Sequence, residues 1–116
     1  MAVNYKKKLG VNGEKKARKY LKSNGWKIVE TNYKNPFGEV DIIAGKGEVL
    51  AFIEVKTRTT EDFGAPNEAV DLKRQNRYIS AAKYYFTGRQ IDCTVRFDII
   101  EILNGQINHI ENAFTA

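Results

Sequence analysis

Asp41, Glu54 and Lys56 are the residues whose types and spacing could do chemistry. Asp41 lies in the run Glu39 to Ala44, EVDIIA, and Glu54 and Lys56 stand two apart in the run Val49 to Thr57, VLAFIEVKT. Both runs are otherwise apolar, and an ionised group in such a segment is costly unless the strand end opens on a functional cleft. Two carboxylates offer hard oxygen ligands, which favour Mg²⁺ or Mn²⁺. Such an ion can polarise a phosphoryl oxygen and lower the pKa of a bound water. A neighbouring ammonium could orient that water or stabilise the charge developing on a pentacovalent phosphate. The set suits phosphodiester hydrolysis, with Asp41 and Glu54 as metal ligands. The plainer alternative is a surface salt bridge between Glu54 and Lys56, with Asp41 as a strand-end charge.

The two runs are separated by Gly45-Lys46-Gly47 and read as a β-hairpin. The pleat puts Glu54 and Lys56 on one face. A two-residue turn at Lys46-Gly47 pairs Asp41 with Phe52 and Glu39 with Glu54, so that Asp41 shares that face, diagonal to Glu54 at roughly 7–8 Å between backbones. A slip of one residue would send Asp41 to the other face. Both runs are apolar on both faces, as interior strands are, which predicts helices above and below the sheet.

The remaining elements follow from capping, periodicity and breakers. Asn12 reads as the N-cap of helix one, in which Ala17, Tyr20 and Leu21 form the apolar stripe up to Ser23-Asn24-Gly25. Trp26 to Glu30 reads as a strand closed by the polar segment Thr31 to Phe37. After the polar stretch TRTTEDFGAPNEA, Val70 to Phe86 reads as helix two. Cys93 to Leu103 is a strand, Asn104-Gly105 a hairpin turn, and Gln106 to Glu111 an edge strand. The order is αβββαββ.

Four further groups have two readings each. Glu14 is either on the inward stripe of helix one, aimed at the sheet, or an acid favoured by the helix dipole. Glu39 is either another site acid or a solvated strand-start residue, and the second is preferred. Lys73, Arg74 and Arg77 on helix two, with Arg58 after the second hairpin strand, could contact phosphates or simply be solvated charges. Tyr78, Tyr84 and Tyr85 could stack on bases, but helical spacing favours core packing for Tyr78 and Tyr85; His109, alone on an edge strand, reads as structural.

With 116 residues the chain has room for one hydrophobic core, hence one domain over residues 1–116. The 42% apolar and 28% charged content is that of a soluble globular protein. The longest strictly aliphatic or aromatic run, Val49 to Ile53, is far short of a membrane span, so a cytoplasmic protein is expected. One cysteine, Cys93, and one histidine, His109, exclude an internal disulfide and a soft-ligand zinc site. A net charge of +5 is compatible with a polyanionic partner, though it also serves solubility.

GEVDIIA (38–44) and FIEVKTR (52–58) resemble the PD-(D/E)XK nuclease superfamily, with Val40 where the nominal proline would stand. These segments are joined by Gly13-Glu14 with Ala17, Asn32-Tyr33-Lys34, Lys73, Arg96-Phe97-Asp98 and Asn112-Ala113-Phe114. Together they look like the YraN-like family of predicted endonucleases. The resemblance implies a restriction-endonuclease-like α/β core, a mixed central sheet flanked by helices, and a divalent-metal site at Asp41, Glu54 and Lys56. It extends to archaeal Holliday junction resolvases, which share a helix-one glutamate matching Glu14 and work as dimers on branched DNA; a homodimer is thus a form open to this chain. The leading expectation is an endonuclease acting on DNA, branched or damaged structures included. Its rivals are a non-catalytic nucleic-acid-binding module that keeps the nuclease fold, and an assembly protein whose charged face engages another protein.

Overall fold

A computed structural model describes the backbone of residues 2–58 and 72–116, and the side chains of residues 12–58 and 72–116. Within these residues the chain is α/β, with two helices and a five-stranded mixed sheet. The elements are α1 (Ala2–Ser23), β1 (Lys27–Asn35), β2 (Gly38–Lys46), β3 (Val49–Arg58), α2 (Leu72–Phe86), β4 (Thr94–Leu103) and β5 (Gln106–Phe114). The strands lie in chain order; β3 and β4 are parallel and all other neighbours antiparallel. A parallel pair needs a long crossover, which the segment containing α2 supplies.

The pleat of β3 sorts its residues between two cores. Leu50 and Phe52 join Tyr78, Ala81, Ala82 and Tyr85 of α2 on one face. Ala51 and Ile53 join Ala17 and Leu21 of α1 on the other. A strand buried on both sides loses its alternation, and this is why β2 and β3 read as continuous apolar runs.

The expected hairpin register is corrected. The turn residues are Gly47 and Glu48, not Lys46 and Gly47, because Gly47 adopts the left-handed φ of +58° that the turn requires. Lys46 therefore pairs with Val49, and Ile42 with Ile53. Continued by one residue, this register sets Asp41 opposite Glu54 rather than Phe52. The shift is of two positions and not one, so facing is preserved.

Other boundaries also differ. Asn12 does not cap α1, which is already helical from Ala2. The Ala, Lys and Leu residues before it favour a helix, and a glycine such as Gly10 costs only about 1 kcal/mol against alanine. The polar stretch from Thr31 is not a loop, because β1 continues to Asn35. Its alternation is broken by a register shift between Ile28 and Glu30 and by left-handed Asn32. At the other edge β5 runs past Glu111 to Phe114. Val70 and Asp71, expected in helix two, lie outside the described residues. No described helix is long and apolar enough to cross a membrane.

Candidate active site

The paired ladder of β2 and β3 ends at Ile42 and Ile53, and the candidate residues gather where it stops. Asp41 turns its carboxylate toward β3, where Oδ2 accepts a 2.8 Å hydrogen bond from the Val55 amide. Its own N–H donates to the Tyr78 hydroxyl at 3.3 Å, and that hydroxyl donates to the Ile53 carbonyl at 3.5 Å. Asp41 and Glu54 both line a cleft of about 240 Å³ between this end of the sheet and α2, with Glu39, Arg74, Arg77 and Tyr78 on its walls.

Glu54 is only 8% exposed and is ion-paired to Arg74 of α2, Nη1 to Oε1 at 3.1 Å. Burial pushes the Asp41 carboxyl up to about 7; the Val55 hydrogen bond opposes this, and the charges of Glu14, Glu54 and Glu39 add to it. Half-buried Lys56 does not line the cleft but senses its charges. Burial holds its ammonium below the usual lysine range, Arg74 and Arg58 push the same way, and Glu54 and Asp41 resist.

Glu14 arrives from the opposite side of the sheet. Gly13 packs so closely on β3 that a Cβ there would collide with the Thr57 side chain, and this approach brings the next residue to the end of the sheet. Burial raises the Glu14 carboxyl, Arg18 opposes this and Glu39 adds to it. Glu39 pairs with Lys34 of β1 instead of facing Glu54; it is exposed, as the solvated reading requires, yet it borders the cleft. Of the basic candidates, Arg74 and Arg77 line the cleft, Arg58 lies near Lys56, and exposed Lys73 does not reach the lining.

No group of three or more His, Cys, Asp and Glu is arranged as a metal cage among the described residues. Mg²⁺ does not need one: it keeps several waters and commonly binds through one or two carboxylates plus substrate phosphates. Asp41 and Glu54 at the end of the ladder offer that donor set. The charges of Glu14, Glu39 and Glu54, which help keep the Asp41 carboxyl protonated near neutrality, would be relieved by a divalent cation.

Sequence reasoning missed three features. Tyr78 has core spacing and a buried ring, but its hydroxyl reaches the site. Glu101, buried on β4, stands level with Lys56 across the parallel pair. Asp98, fully buried, sits on the α1 face, where its carboxylate accepts from Arg96 Nε and Nη2, both at 2.8 Å, and from the Asn112 amide at 3.0 Å. His109 Nε2 lies 2.7 Å from the same carboxylate, and its Nδ1 is 3.0 Å from the Tyr20 hydroxyl. His109 is therefore not isolated on its edge strand, but joins β4, β5 and α1. The signals for this network were the Arg96-Phe97-Asp98 and Asn112-Ala113-Phe114 segments, but their partners lie far apart in sequence and nothing joined them.

Related chains match along nearly their whole length. A UPF0102 protein of Thermodesulfovibrio yellowstonii is 45% identical over 106 residues, covering 91% of this chain and 95% of its own. One from Alkaliphilus metalliredigens is 42% identical over 112 residues, covering 93% and 98%. One from Clostridioides difficile is 45% identical over 111 residues, covering 93% and 97%. The family model described as uncharacterised protein family UPF0102 matches residues 13–102, which take in α1 from Gly13, the Asp41 and Glu54 strands, α2 and most of β4. The chain belongs to UPF0102.

Proposed function

We propose that this protein is a divalent-metal-dependent endonuclease with a restriction-endonuclease-like core, hydrolysing phosphodiester bonds in DNA. The observation that carries this reading is that Asp41 and Glu54 line one cleft with Arg74 and Arg77 where the β2–β3 ladder ends, with the Asp41 carboxyl raised to about 7 by burial first and further by the charges of Glu14, Glu54 and Glu39. Asp41 and Glu54 would hold Mg²⁺ or Mn²⁺. Bound there, the ion would supply positive charge to a phosphoryl oxygen and acidify a water.

The chain's own residues do the rest. Lys56, its ammonium already destabilised by burial and by Arg74 and Arg58, orients the attacking water or meets the negative charge developing on the phosphoryl oxygens. Arg77 offers a phosphate contact at the cleft wall. Arg74 has two anions to choose between. It pairs with Glu54 at 3.1 Å, and a phosphate entering the cleft would compete for the same guanidinium.

The test is strand scission on a panel of single-stranded, duplex, flap and four-way junction DNA, with and without Mn²⁺. Scission of at least one substrate that requires the metal is expected. Metal-independent DNA binding without scission of any substrate would instead identify a non-catalytic module, with affinity that still falls steeply with salt.

A further inference from the structure

The Tyr78 hydroxyl is the one side-chain group, among the hydrogen bonds described above, that touches both strands where their ladder ends. It accepts from the Asp41 amide at 3.3 Å and donates to the Ile53 carbonyl at 3.5 Å. The ring behind it is fixed independently of the site: it is buried, with 5% exposure, and makes an edge-on contact with Phe114, their centroids 6.4 Å apart. Phe114 is in turn stacked on Phe97 at 5.0 Å. The hydroxyl is thus placed by the packing of α2 and β5, and the backbone of the candidate ligand strand is placed by the hydroxyl.

We propose that Tyr78 is a positioning residue, whose hydroxyl holds β2 and β3 in the separation that lets the Asp41 carboxylate reach between them to the Val55 amide and stand opposite Glu54. This rests on the metal-site reading above and adds to it a group that shapes the site through the backbone of the ligand strands and not as a metal ligand. Three distances make the geometry specific. The long contacts from Asp41 N–H and to Ile53 C=O span the gap, and the 2.8 Å bond from Val55 N–H to Asp41 Oδ2 crosses it. Without the hydroxyl, the part-buried Asp41 amide and the buried Ile53 carbonyl each lose a partner, and a movement of the strands is one way to recover it. Any such movement changes where Asp41 points.

Tyr78→Phe in the full chain tests this, because it keeps the ring and its contact with Phe114. Tyr85→Phe serves as a control on the same helix: Tyr85 is buried in the same core but does not line the cleft. Mn²⁺ binding by calorimetry should weaken about 10- to 100-fold in Tyr78→Phe, the range seen when a group orienting a metal ligand is removed, and be unchanged in Tyr85→Phe. Amide exchange at Val55, measured without metal, should be faster in Tyr78→Phe only. Unchanged Mn²⁺ affinity and unchanged Val55 exchange in a folded Tyr78→Phe would overturn the proposal. Equal effects from both variants would overturn it too, since they would mark a general loss of core stability. If the wild type binds no Mn²⁺, the metal reading fails, and Val55 exchange still decides the role of Tyr78. If Tyr78→Phe does not fold, the wild type decides: its Asp41 amide should be as protected as those of Ile42 and Ile53, and free exchange there would overturn the proposal.

Discussion

A carboxyl that titrates near neutrality makes protons and cations rivals for the same oxygens. Asp41 is raised from 3.8 to about 7, chiefly by burial. Between those values the folded chain keeps a proton that the unfolded chain releases, so this group stabilises the metal-free fold less as the pH rises toward 7. Metal binding must displace that proton. Mn²⁺ affinity should therefore rise about tenfold per pH unit up to about pH 7 and level off above it, as one proton is released per ion bound. Calorimetry at pH 5, 6, 7 and 8 reads this, and a flat profile would remove Asp41 from the ligand set. The identities of Asp41, Glu54 and Lys56 were legible because charges inside apolar runs are conspicuous. The Tyr78 hydroxyl was not, because periodicity assigns a ring to the core and says nothing of where its polar end emerges.

At the scale of elements, the contact between α1 and β3 governs whether Glu14 arrives at all. Gly13 meets Thr57 where a Cβ has no room. Gly13→Ala gains up to about 1 kcal/mol in helix propensity but overpacks the contact, which typically costs about 1–3 kcal/mol. The net expectation is a lower melting temperature. Adding Thr57→Ala should recover part of the loss, with a double-mutant coupling of about 1 kcal/mol, as for residues in contact. A Gly13→Ala variant more stable than wild type would contradict the close packing. The hairpin shows how far sequence carries at this scale. Its existence and facing were readable from the apolar runs and Gly47, but its register was not, because two-residue turns on either side of Gly47 preserve the same facing and differ only in whether Asp41 meets Glu54 or Phe52. The β1 strand was hidden for a different reason: it is an edge strand with exposed polar residues, and left-handed Asn32 breaks its alternation.

Across the whole molecule, the two faces of the sheet carry different work. The α2 face holds Glu54, Arg74 and the cleft, while the α1 face holds the Asp98 network joining β4, β5 and α1. Burial alone would raise the Asp98 carboxyl, but the bonds from His109, Arg96 and Asn112 outweigh it and hold it below its usual value. The donors around Asp98 hold its carboxyl down, whereas burial and neighbouring acids hold the Asp41 carboxyl up, and this contrast separates scaffold from candidate site. The central claim is that Asp41 and Glu54 do chemistry and do not merely hold the fold, and Glu54→Ala tests it most directly. The variant removes a cleft carboxylate and leaves Arg74, whose side chain is 39% exposed and can turn to water, so the fold should persist. With Mn²⁺ and a DNA substrate that the wild type cuts, Glu54→Ala should bind the DNA and leave it intact. Scission by Glu54→Ala at the wild-type rate would contradict the account.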